Sequence, residues 1–164
     1  MVAALIAAVL LSGCAGQEQS GTPAARVTTW VQGSGGGTAI GTVELDSRNV
    51  DQALAHHDPP ASIRSVCALL TDDAETAIGN LPTPDTMLTG ALNAAFEDAA
   101  AAGDDCYQGA GGDSRLLGHS ASERARLVPL LQVAVERITA VTGHTPTTDT
   151  TAPQSGSGDP FGGS

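Results

Sequence analysis

Lysine is absent from this chain: its seven basic residues are all arginine, set against 18 acidic ones. That absence excludes Schiff-base chemistry, a lysine general base and the lysine of a phosphate-binding loop. The formal charge of −11 repels phosphate backbones, so nucleic acid is not an expected partner. Aromatic residues are nearly as scarce, with one Trp, one Tyr and two Phe. A core drawn from Ala, Leu and Val suits closely spaced helices rather than an aromatic-rich sandwich. Runs of strand length that alternate apolar and polar residues are missing too. The apolar run VAALIAAVLL at residues 2–11 is too short for a bilayer-spanning helix but fits the hydrophobic stretch of a signal peptide.

The end of that run carries a specific motif. Leu11-Ser12-Gly13-Cys14 resembles the lipobox of bacterial lipoproteins. The resemblance implies that Cys14 is diacylglycerated on sulfur, that residues 1–13 are removed, and that Cys14 becomes the first residue of the mature chain. Small residues before the cut let a peptidase approach the backbone, and the thiol takes the lipid. In one departure from the pattern, the segment before the apolar run carries no Lys or Arg. Residues 14–25, polar and containing Gly and Pro, read as a flexible tether spanning about 20 Å. Residues 144–164, rich in Thr, Pro, Gly and Ser, read as a disordered tail.

Between them, residues 26–143 form one domain with helical spacing. A short segment from Arg26 to Gln32 precedes a glycine-rich break, and Ile40, Val43, Val50, Ala53 and Leu54 share one face up to His57. Asp58-Pro59-Pro60 stops that helix and starts the next. Ile63, Val66, Cys67, Leu70, Ala74, Ala77 and Ile78 make the cleanest stripe, over about residues 61–79. Thr83 is the expected N-cap of a third helix that ends at Gly103. Ser120 and Glu123 are the expected capping box of a last helix running to Val141, kinked at Pro129. The expected architecture is all-α, an up-and-down bundle of about four helices with one disulfide.

With Cys14 assigned to lipid, Cys67 and Cys106 remain in an oxidising compartment where thiols pair. They fall at the open end of the hairpin that turns at Leu81-Pro82, so we expect a structural bridge. A redox pair would usually sit as Cys-x-x-Cys with a cation nearby.

Other residues invite chemistry and fall short of it. His56-His57-Asp58 places neighbours about 100° apart on a helix, whereas metal-binding pairs usually sit at i, i+3 or i+4. Gly-His-Ser-Ala-Ser at 118–122 lacks the last glycine and the preceding strand of a nucleophile elbow. Gly-Ser-Gly-Gly-Gly-Thr at 33–38 lacks the spacing of a phosphate loop. Asp72-Asp73, Glu97-Asp98 and Asp104-Asp105 lack the alternating ligands of a calcium loop and read as a solvated acidic face. We therefore expect no catalytic residues, metal or cofactor.

Trp30, Cys67, Pro82, Pro84, Asp85, Cys106 and Gly109, from Trp30 to Gly143, together resemble small extracytoplasmic lipoproteins of actinobacterial type. That resemblance implies fold and location rather than an activity. The functional expectation is a non-enzymatic module at the outer face of the cell membrane, anchored through Cys14 and binding an envelope protein or component. The alternative is a small-molecule or lipid-binding bundle with an internal apolar cavity. An envelope enzyme using His56 or His57 with a carboxylate ranks third.

Overall fold

A computed structural model describes residues 21–33 and 35–146. Cys14, the expected leader, most of the tether and the tail beyond residue 146 lie outside the described residues. Those described form five helices: α1 (Pro23–Gly33), α2 (Gly36–Ala55), α3 (Pro60–Gly79), α4 (Thr86–Gly109) and α5 (Ser114–Thr142). The all-α class holds; the count is five rather than about four, because the segment around Trp30 is a helix in its own right. None of the described helices is long and apolar enough to cross a membrane.

The helix α4 is central, with α3 packed on one side and α5 on the other, while α2 packs on α3, and α1 touches both α2 and α5. The apolar stripes meet inside this arrangement. Ile40, Val43, Leu70, Leu88, Leu92, Phe96, Leu127 and Ile138 are all buried, filled in by Ala74, Ala95, Ala99, Ala102 and Ala134. Burying a Leu or Phe side chain contributes about 1.5–3 kcal/mol, whereas the alanines contribute chiefly by letting backbones come close.

Two glycines show that closeness. A Cβ at Gly103 would overlap Thr71 Oγ1 and lie 2.8 Å from both the Cys67 carbonyl oxygen and the Thr71 nitrogen. The expectation that Gly103 ends the third helix is therefore corrected: α4 runs on to Gly109, and Gly103 serves the contact with α3. At Gly36 a Cβ would collide with the Trp30 ring, so the glycine-rich stretch seats the indole as well as turning the chain. Gly35, at φ 75°, makes the turn, and Gly36 and Gly37 already belong to α2. Trp30 is buried and its Nε1 donates to the Asn80 carbonyl oxygen at 3.3 Å, tying α1 to the end of α3.

Two expected caps are corrected as well. Asp85, not Thr83, caps α4, accepting from the Leu88 N–H at 2.8 Å. Thr83 instead braces the turn, donating to the Asp85 carbonyl oxygen at 2.6 Å. At α5, Asp113 is the cap, accepting from the N–H groups of Arg115 and Leu116. The helix thus starts at Ser114, and Ser120 lies inside it, fully buried. Pro129 sits within α5 as expected.

Cys67 and Cys106 form a disulfide between α3 and α4. Because α4 continues past Gly103, Cys106 is helical rather than just beyond the helix end.

Candidate functional site

Polar chemistry concentrates where α4 and α5 run antiparallel. Asp85 at the start of α4 meets Arg137 near the end of α5 through two hydrogen bonds, at 3.1 and 2.6 Å. Asp98 meets Arg126 in the same forked way, at 3.0 and 2.8 Å. Seven residues further along α4, and seven back along α5, Asp105 Oδ2 lies 3.1 Å from His119 Nδ1. The heptad step repeats the facing pair because two antiparallel helices return to the same register about every two turns. Between these rungs the Ser120 hydroxyl donates to the Ala102 carbonyl oxygen at 2.6 Å, pinning the two backbones together.

The three rungs are not equivalent. At Asp85 and Asp98 a carboxylate meets a permanently charged guanidinium in fork geometry, the stronger form of ion pair. Hydrogen bonds from Arg137 and the Leu88 N–H hold the Asp85 carboxyl below the usual carboxylate range, against the effect of burial. At Asp105 the partner is an imidazole, charged only when protonated, and a second carboxylate, Glu123, joins it. Donor atoms of Asp105, His119 and Glu123 all lie within 4.8 Å of one another. Glu123 Oε2 is shut off from solvent with no hydrogen-bond partner among the described residues. Burial pushes the Glu123 carboxyl up and the charge of Asp105 adds to this, while His119 and Arg126 pull it back.

A second polar group lies between α5 and α2. Arg124, 5% exposed, donates to Asp51 Oδ1 at 3.0 and 3.2 Å and to the Ser120 hydroxyl. Its buried charge is compensated by this pair, without which it would be costly. Here a cleft of about 390 Å³ separates Ser47, Arg48 and Asp51 from Ala121, Leu127 and Val128. A larger groove of about 600 Å³ opens where α1 and the start of α2 meet the last turn of α5. Thr28, Gln32, Thr38, Thr142 and His144 alternate there with Val31, Ile138 and Pro146.

Between α2 and α3, Asp46 is 7% exposed and its Oδ2 has no hydrogen-bond partner among the described residues. Burial, then the adjoining Asp73 carboxyl, push Asp46 up to about 6, and Asn49 works against them.

The residues singled out from sequence fall in different parts of the fold. His56 and His57 end α2, both exposed. The Asp58 N–H reaches the Ala53 carbonyl oxygen at 3.0 Å and the His57 N–H the Leu54 carbonyl oxygen at 3.2 Å. With His57 at φ 55°, this is a Schellman closure in which a histidine holds the position glycine usually takes. The acidic pairs are divided by the fold: Asp73, Asp98 and Asp105 each meet a group on another helix, while Glu97 accepts from Asn93 at 2.8 Å on its own helix. The group at Asp105, His119 and Glu123 escaped the sequence reading. Its one legible signal was His119 and Glu123 at i, i+4, the spacing that His56 and His57 lack.

No protein-family model, curated protein or solved structure matches this chain.

Proposed function

We propose that this chain is a lipid-anchored, non-enzymatic helical module that binds a protein partner of the cell envelope at the outer face of the membrane. Leu11-Ser12-Gly13-Cys14 supports the anchor, and the groove of about 600 Å³ between α1, α2 and α5 carries the binding reading. An extended peptide segment needs hydrogen-bonding side chains beside an apolar ridge. Thr28, Gln32, Thr38 and Thr142 supply the first, Val31 and Pro146 the second. Acyl chains need a lining that is predominantly apolar, which makes the same groove a poorer lipid site.

A photo-crosslinking residue placed in cells at Gln32 or Thr38, both exposed groove positions, tests the reading against one at the exposed Glu75 of α3. We expect one protein adduct from the groove positions and none from Glu75, with membrane association lost in Cys14→Ser. Identical adducts at all three positions, or a lipid adduct in the groove, overturn the partner; membrane retention of Cys14→Ser overturns the anchor.

A further inference from the structure

We propose that Asp105, His119 and Glu123 bind one divalent transition-metal ion of the zinc class. Three features of the α4–α5 interface carry this. The first is the donor set: one imidazole nitrogen and two carboxylates on two helices, which suits a borderline ion such as Zn²⁺ rather than the all-oxygen preference of Ca²⁺ or Mg²⁺. The second is geometry. His119 and Glu123 stand at i, i+4 on α5, and the three donor atoms fall within 4.8 Å of one another. Tetrahedral zinc with ligands at about 2.0–2.1 Å needs donors about 3.3 Å apart. The pair at Asp105 and His119 already stands at 3.1 Å, and His119, with 69% of its side chain exposed, is free to adjust.

The third feature is charge and satisfaction. The neighbouring rungs each place one guanidinium on one carboxylate, whereas this rung places two carboxylates on one imidazole. Arg126 lies close to Glu123 but spends its fork on Asp98. Glu123 Oε2 is closed to solvent and has no hydrogen-bond donor among the described residues, an arrangement that is unfavourable for a polar oxygen and more so for a charged one. A cation between Glu123 and Asp105 would satisfy that oxygen and balance the excess charge. The frame that holds the donors is in place without it, through Ser120 on Ala102 and Arg126 on Asp98. Three protein ligands leave a fourth position to water or to a donor from a bound partner.

The test is calorimetric titration of the full chain in detergent, disulfide intact, with Zn²⁺ and separately with Ca²⁺ and Mg²⁺. We expect one high-affinity Zn²⁺ per chain. Affinity should fall at least tenfold in His119→Ala and in Glu123→Gln, and stay unchanged in the His56→Ala/His57→Ala/His144→Ala variant. Circular dichroism establishes that each variant is folded; if Glu123→Gln is not, the exposed His119→Ala decides alone. Zn²⁺ binding unchanged in His119→Ala overturns the site. So does Ca²⁺ or Mg²⁺ binding as tightly as Zn²⁺, which would mark general attraction to an acidic surface.

Discussion

The two sides of α3 are held by different chemistry. Toward α4 the contact is dry and shut: Cys67 and Cys106 are fully buried and bonded, and the missing side chain of Gly103 lets the Cys67 carbonyl and the Thr71 amide come close. Toward α2 the contact sets the buried Asp46 carboxyl against the half-buried Asp73, with no guanidinium bonded to Asp46 among the described residues. One side therefore answers to redox conditions and packing, the other to pH. Helices poor in large apolar residues can be held by covalent closure and close approach, and an ionisable group is then tolerated on the opposite side.

Breaking the α4 side should have the largest effect. The bridge joins cysteines 39 positions apart in sequence, which corresponds to about 4 kcal/mol on the chain-entropy relation. The Cys67→Ser/Cys106→Ser variant should lose about that much in urea unfolding at equilibrium, a large part of the roughly 5–15 kcal/mol typical of such domains. A loss under about 1 kcal/mol would mean that packing alone closes this side. Gly103→Ala tests packing with the bridge intact. Because the added Cβ meets backbone atoms of α3 that cannot swing aside, we expect a loss of about 2 kcal/mol, read as a lower urea midpoint.

The α2 side is sharpened by pH. The folded protein holds the Asp46 proton up to about 6, against an ordinary value of 3.8. Between these values the folded state binds more protons than the unfolded state, so stability falls as pH rises through this window. Asp46→Asn keeps the shape and removes the charge. It should flatten the decline between about pH 4 and 6 and raise stability at about pH 7.5 by about 1–2 kcal/mol. That figure rests on about 1.4 kcal/mol for each tenfold change in proton affinity, less the cost of burying an amide. An unchanged pH profile would show that Asp46 is not the group responsible.

Much of the fold was legible because helix stripes and proline stops are local. The stripe from Ile63 to Ile78 and the stop at Asp58-Pro59-Pro60 needed only the helical period and the conformational limits of proline. The cysteine pairing was expected once the lipobox resemblance set Cys14 aside and the hairpin was placed. Two of the errors share one cause. Gly103 and Ser120 suit a helix end and a helix cap by local propensity, whereas each is used by a neighbouring helix: Gly103 for the approach of α3, Ser120 for a hydrogen bond to Ala102 on α4. His57 occupies a positive-φ position that sequence reading would give to glycine or asparagine.

By itself the sequence determined the helical class and the main helix faces, because these follow from periodicity, whereas the expected cysteine pair also leaned on the lipobox resemblance that set Cys14 aside. It also contained the spacing of His119 and Glu123, which alone names no site. Only the tertiary structure decided which acid met which base. Asp105 and His119 are 14 residues apart in sequence and become neighbours only through the antiparallel register of α4 and α5. That register rests on the buried contacts along the whole interface. The same packing gave Asp85 and Asp98 an arginine each, and left Glu123 Oε2 enclosed beside Asp105 without one.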